Sequence, residues 1–311
     1  EGFSGEEGFD MFGTTEFDGQ SLYSEIPLQQ DSSFAASVPG NVPFHIQLID
    51  KFAMSVANES IWISGRAGES RVCGGCHENR LTTPQLAPGQ TQAQLAGAVN
   101  LDVPRPQRIT PMAAGATAYA ASDFSYGNMR GVPWNKAIQP ILDAKCVSCH
   151  DGDATKPGNP TYTVTDLTNM SSQTFTFDLR GQALNVTVGE KMTGAYTASY
   201  ISVMGLGEII GDDVVNIINV TGDASAQYGY VSPASAKDSK LIQLLNPPLQ
   251  FPTPDMNTRA FTTKPHMVDV GGTDLTSDEF YRFILNIDMG GQFYFRENHD
   301  TAQNYASTGS I

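Results

Sequence analysis

Ala137-Ile138-Gln139-Pro140-Ile141-Leu142-Asp143-Ala144-Lys145-Cys146-Val147-Ser148-Cys149-His150 joins a helical stripe to a cofactor signature. Ala137, Ile138, Ile141 and Leu142 fall on one face of a helix. Pro140 suits that helix if it starts near Ala137, because the first turn leaves its N–H groups unpaired. The end of the stretch reads Cys-x-x-Cys-His. Two thiols one turn apart can add to the two vinyl groups of one porphyrin, and the adjacent His then meets the iron as proximal ligand. Cys73-Gly74-Gly75-Cys76-His77 repeats the pattern, and the two copies use all four cysteines of the 311-residue chain. Four thiolates around zinc are the competing reading. Zinc gives no reason for His after both pairs, and neither pair sits in the βαβ context of a thioredoxin-like motif. Two covalently bound haem c groups are therefore expected. Cys73, Cys76, Cys146 and Cys149 would attach them, with His77 and His150 as proximal iron ligands.

Composition narrows the setting. The formal net charge is −15, and each haem would add two propionates. That argues against nucleic acid and anionic membranes, which need basic patches. It suits a docking surface for a basic redox partner. Calcium held by acidic loops is a further candidate. Asp151, Asp153 and the loop from Gly271 to Asp278 could supply its oxygens. No run of apolar residues is long enough for a membrane span. The chain opens at Glu1 without a Met, as a product with its targeting segment removed would. Haem attachment takes place outside the cytoplasm, so a periplasmic or extracellular location is expected.

With 30 Gly and 18 Pro, long loops and β structure are expected rather than a helical bundle. The fold class predicted is α+β. Residues 1–133 would form a small β-sandwich-like domain carrying the first haem. Residues 134–311 would form a cytochrome c-like helical domain with a β-containing insertion at about 155–230. Within the first unit, Val42–Asp50 reads as a strand with Phe44, Ile46 and Leu48 on one side, and Ser60–Ser64 as another. Residues 81–133 lack clear periodicity. In the second unit, a helix running into Cys146 opens the domain. Thr174–Leu179 and Leu184–Val188 read as strands of the insertion. Ser235–Leu245 reads as a helix with Leu241, Leu244 and Leu245 inward. Thr276-Ser277-Asp278-Glu279 is a capping box that starts a closing helix with Phe280, Phe283, Ile284 and Ile287 on one face, stopped by Gly290-Gly291.

Several of these motifs, read in order, resemble a known family. Pro43-Phe44 through Gln47 and Asp50, Gly68-Glu69, and Cys73 to Glu78 resemble a series found in the α subunits of hydrazine synthases and their multidomain haem relatives. Ile138–Leu142, Asp178-Leu179-Arg180-Gly181, Ser239–Ile242, Leu275-Thr276 and Ile287–Gly290 resemble the cytochrome c domain that ends those chains. The resemblance spans roughly residues 15–295 and implies two covalent haems on a β domain plus a cytochrome c-like domain. The family carries an iron-ligating Tyr four residues after the first motif's His. Here Leu81 stands in that place, and the family's propeller-like portion has no counterpart, so the resemblance does not imply hydrazine chemistry.

The sixth ligands decide between electron transfer and catalysis, because an open iron binds substrate and a doubly ligated one does not. The chain has five His. Beyond His77 and His150 these are His45, His266 and His299. His266, in a loop before the closing helix, is the favoured distal ligand of the second haem, with Met267 and Met256 as rivals. His45 is the candidate distal ligand of the first haem, against a purely structural role in the β domain. His299 is an alternative that could reach a haem of its own chain or of a neighbouring subunit. Arg71 and Arg80 flank the first motif and could pair with propionates.

The leading expectation is an extracytoplasmic dihaem cytochrome that passes single electrons to redox partner proteins, either alone or within a homo-oligomer or filament. The alternative is a haem enzyme acting on a small nitrogen compound or peroxide at the first haem, with the second haem as relay.

Overall fold

The computed structural model describes residues 22, 25–41, 43–50, 52–59, 62–74, 90–101, 132, 134–165, 172–183, 187–188, 191–192, 197–210, 213–218, 230–231, 235–245, 266, 270–291 and 293. These form a mixed set of helices and strands. In chain order they are β1 (Ala36–Ser37), β2 (Gln47–Ile49), β3 (Ser55–Asn58), α1 (Gln92–Ala96), β4 (Val99–Asn100), a π-helical turn (Trp134–Ile138) and α2 (Gln139–Lys145). There follow β5 (Thr161–Thr165), β6 (Ser172–Thr176), β7 (Thr187–Val188), β8 (Lys191–Met192), α3 (Ala198–Met204), β9 (Leu206–Ile210) and β10 (Asp213–Ile218). A 3₁₀ turn (Ala236–Asp238), α4 (Lys240–Leu245) and α5 (Ser277–Asp288) complete the order.

The core gathers on the second half of the chain. Ala137 and Ile138 are fully buried, and Ile141 and Leu142 nearly so, which is the predicted stripe. Pro140 lies in the first turn of α2, where its ring is tolerated. The π turn ahead of it buries Trp134, whose indole meets Tyr200 edge-on. α5 closes over this surface. Its cap is the predicted box: Thr276 Oγ1 accepts from Glu279 N, and Glu279 accepts from Thr276 N at 2.7 Å. Phe280, Phe283, Ile284 and Ile287 are each 1% exposed. At its end Gly290 and Gly291 take positive φ, a conformation that costs glycine little. The Lys145 ammonium pins the end of α2 to the start of α5 through Glu279 at 2.7 Å.

The β expectations are met only in part. In place of the predicted sandwich, the described residues of this part hold two separate ladders: β1 with β4 in parallel, and β2 with β3 antiparallel. Val42–Asp50 shrinks to the three residues of β2, with a lone bridge from Phe44 to Ile63 replacing the second expected strand. Positive φ at Asn41 and Ala53 breaks the extended run on either side. The two sides of β2 are covered unequally. Leu48 is 44% exposed, while Gln47 donates to the Asp288 carbonyl at 2.7 Å. The insertion contains three antiparallel hairpins, β5–β6, β7–β8 and β9–β10.

Two helices run against or beyond the expectations. The Ser235–Leu245 helix is broken at Ser239, whose ψ of 125° is extended. The break turns Ile242 fully inward beside Leu245, leaving Leu241 and Leu244 half-buried, Leu241 against the core. α3 was not predicted. All seven of its residues are buried, so no polar face gives it an amphipathic period. Thr197 and Gly205 at its ends are the signals that mark it.

The N-terminal segment seats on α5. Met54 is fully buried in the same core cluster as Phe280 and Ile284. Asp288, at the last turn of α5, accepts from Ser55 N at 2.9 Å and from Ala236 N at 2.6 Å. Three distant parts of the sequence therefore meet on one buried carboxyl. Burial first, with Asp50 adding like charge, pushes that carboxyl up to about 7 against the opposing backbone bonds.

Candidate haem site

α2 delivers Cys146 at its C-cap, where the cysteine N–H still bonds Leu142 O at 2.8 Å. The next turn continues the coil, with Cys149 N and His150 N both reaching Cys146 O, at 3.1 and 3.0 Å. This places the two thiols one turn apart. Cys146 is buried and Cys149 exposed. Burial pushes the Cys146 thiol up to about 11, which keeps it a neutral thiol near pH 7.

His150 is held from both sides. Its carbonyl accepts from Leu179 N at 2.9 Å, and Asp151 bridges to Asp178. Its ring Nδ1 lies 2.7 Å from Gly158 O. A carbonyl only accepts, so Nδ1 carries the proton and Nε2 is left with its lone pair for a metal. Burial lowers the imidazole pKa; the Gly158 bond opposes this, and His266 adds to it. Phe177 meets the ring edge-on at 5.3 Å between centroids. Gly158 leaves little room for a side chain, since a Cβ there would stand 3.2 Å from His150 Cε1.

His266 comes to the same place. Its ring centroid is 5.9 Å from that of His150, with the planes inclined by 36°. Imidazoles bonded to opposite faces of one metal through nitrogens about 2 Å away have centroids roughly 6 Å apart. The spacing of the pair is one that two imidazoles sharing a metal would have, and the Cys146 and Cys149 thiols lie in the same loop.

A buried polar chain supports this loop. Trp134 Nε1 donates to Ser199 Oγ at 3.0 Å, Ser199 donates to Gln139 Oε1, and Gln139 Nε2 donates to Leu179 O at 2.9 Å. Asp178 lies beneath the bridge, and its N–H donates to Ser202 Oγ at 3.1 Å. Its carboxylate takes the Arg180 guanidinium at 2.7 Å and Gln182 at 2.9 Å. None of these supports was singled out as a site residue. The turn sequence Pro157-Gly158-Asn159-Pro160 was the available signal for Gly158.

The other expected ligands separate. Cys73 is exposed, whereas Cys76, His77, Arg80, Leu81, Met256, Met267 and His299 lie outside the described residues. His45 sits 3.4 Å from Glu59 O through Nδ1 and against Trp62, with ring centroids 5.0 Å apart. Arg71 pairs with Glu69 at 2.5 Å. The proposed calcium oxygens have protein partners: Asp151 takes Lys156, Asp153 accepts from Thr155 and Asp278 takes Arg282. No helix of the described residues is long and apolar enough to cross a membrane.

Comparison with known proteins points one way. The family model for the hydrazine synthase alpha subunit middle domain matches residues 2–78. The hydrazine synthase subunit alpha of Kuenenia stuttgartiensis is 26% identical over a 168-residue alignment covering 45% of this chain. This chain resembles hydrazine synthase subunit alpha. It spans about a fifth of that relative's length, 21%. A solved structure of Kuenenia stuttgartiensis hydrazine synthase aligns with 82% of this chain and 30% of its own, at 21% identity and a TM-score of 0.45.

Proposed function

We propose that this protein is an extracytoplasmic dihaem c-type cytochrome that carries single electrons. The observation that carries this reading is the approach of His150 and His266 at 5.9 Å between centroids. We place the first haem on residues 1–133, through Cys73, Cys76 and His77, and the second on residues 134–311, through Cys146, Cys149 and His150. Haem at the second site would supply one-electron exchange between ferric and ferrous iron. The chain's own part is to hold both axial imidazoles, to fix the His150 tautomer through Gly158 and to exclude solvent with Phe177. An iron ligated on both faces has no place for substrate, which favours transfer over catalysis at this site. A calcium ion near Asp151 would have to displace Lys156. The acidic surface suits a basic redox partner, and the matched relative's being a subunit supports assembly into an oligomer or filament.

The test is visible spectroscopy of the holoprotein with and without CO. The second haem is expected to be low-spin and indifferent to CO, and His266→Ala should convert it to a high-spin, CO-binding form. A second haem that is high-spin in the unaltered protein would overturn the reading.

A second reading places catalysis on a small nitrogen compound at the first haem. It is favoured by the family match over residues 2–78, the stretch that includes that haem's attachment motif. His45 against Glu59 and Trp62 would leave that iron's sixth position open. CO binding to one haem only, with turnover of hydroxylamine or nitric oxide, is its expected signature.

A further inference from the structure

We propose that Lys156, Asp151 and Asn159 form a clamp that holds the Gly158 carbonyl on His150 and thereby sets the reduction potential of the second haem. This rests on the reading of His150 as an iron ligand. The loop from Asp151 to Pro160 has no regular secondary structure, so something must fix its exit. Asn159 is its hub. Although polar, it is only 2% exposed. Its Nδ2 donates to Asp151 Oδ1 at 2.9 Å and to the Asp153 carbonyl at 3.1 Å. Lys156 closes the loop from outside by donating to Asp151 Oδ2, and its own carbonyl accepts from Asn159 N at 3.0 Å. Asp153 caps the inner turn by accepting from Thr155 N at 2.9 Å and from Thr155 Oγ1 at 2.7 Å. Asp151 is anchored in turn by its bridge to Asp178. Gly158, one residue before the hub, is left with its carbonyl 2.7 Å from His150 Nδ1.

An exposed lysine–aspartate pair by itself contributes little. Here it secures a buried amide next to the group that orients a metal ligand. A hydrogen bond from Nδ1 makes the imidazole a stronger electron donor at Nε2. A stronger donor stabilises ferric over ferrous iron and lowers the potential. Lys156, Asp151 and Asn159 are positioning residues, acting on the iron only through Gly158 and His150.

The sign of the effect separates the clamp from simple electrostatics. Removing a positive charge near a haem stabilises ferric iron and lowers its potential. Loosening the clamp weakens the Gly158 bond and raises it. The experiment is a spectroelectrochemical titration of the dihaem protein, with the first haem as internal reference. Lys156→Met and Asn159→Ala should each raise the second haem's potential, changing its ferric-to-ferrous ratio three- to tenfold at fixed potential, roughly 30 to 60 mV. Lys156→Arg, which keeps the pair, should restore the original value. An unchanged or lowered potential in Lys156→Met and Asn159→Ala, with low-spin spectra intact, overturns the clamp. If the unaltered protein lacks a low-spin second haem, the ligand reading fails instead. Lys156 is 40% exposed along its side chain, so its replacement leaves the core untouched.

Discussion

At Gly158 the absence of a side chain is a requirement of the site. The imidazole of His150 and the Cys149 carbonyl fill the space a Cβ would need, at 3.2 to 3.4 Å. Gly158→Ala would push the ring or the loop aside by a few tenths of an ångström and spoil the Nδ1 bond. A loss of about 1–3 kcal/mol in stability is expected from such overpacking, read by denaturant unfolding of the holoprotein. A change in the second haem's absorption spectrum should accompany it. Unfolding and spectra both like those of the unaltered protein would show that the loop has slack. Gly152 is confined in a similar way, with φ of 77° and the Arg180–Asp178 pair 2.8 Å from a would-be Cβ. At the residue scale the attachment motif is legible in the sequence and its supports are not. Cys146, Cys149 and His150 announce themselves by spacing, and the structure brings His266 to His150. Gln139, Ser199 and Asp178 act through contacts between distant segments, and no local pattern encodes those.

At the scale of elements, α5 shows a local code that tertiary structure leaves intact. The box of Thr276 and Glu279 satisfies two otherwise unpaired N–H groups at its start. The Glu279 carboxyl is then shared with Lys145. The Lys145 pair and the Thr276 bonds hold that carboxyl below its usual range against the opposing effect of burial. Thr276→Ala is expected to cost about 1 kcal/mol, lowering the melting temperature by roughly 1–2 °C in a chain of this size. Differential scanning calorimetry would measure it, and an unchanged transition would mean that packing alone holds the helix start. β2 illustrates the opposite case. Alternation sets Phe44, Ile46 and Leu48 on one side, and Gln47, on the other, is the residue that reaches the core helix. Alternation names two faces of a strand without saying which is covered. Only the partner, here the end of α5, decides that. α1, of five residues with its own capping box at Thr91, was too short for any period to register.

For the whole molecule, Asp288 is the group on which stability should turn with pH. Its folded pKa is raised to about 7, from an ordinary 3.8. The charged form is thus disfavoured in the fold. The stabilisation is complete below about pH 4, is lost as pH rises towards 7, and changes no further above that. The contribution of this one group has a slope of at most about 1.4 kcal/mol per pH unit. Urea unfolding between pH 5 and 8 should show the unaltered protein losing stability relative to Asp288→Asn. Parallel pH profiles for the two proteins would remove Asp288 from that role. The bonds that Asp288 accepts from Ser55 N and Ala236 N favour its charged form, so protonation weakens them and the net gain comes from relieving a buried charge.

The sequence by itself determined the features that depend on neighbours along the chain. These are the thiol spacing before His150, the stripe of α2, the proline at its start, and the capped and glycine-terminated α5. Each is settled by interactions within a turn or two, so composition and spacing suffice. Tertiary structure alone decided which face of β2 is buried, that α3 lies wholly inside, and that Ile242 is buried more deeply than Leu244. It also brought His266 to His150 and set Gly158 beneath the imidazole. Those outcomes depend on which surfaces meet across long stretches of chain. Burial and hydrogen-bond satisfaction in the assembled core select them, and neither quantity exists until the chain has folded.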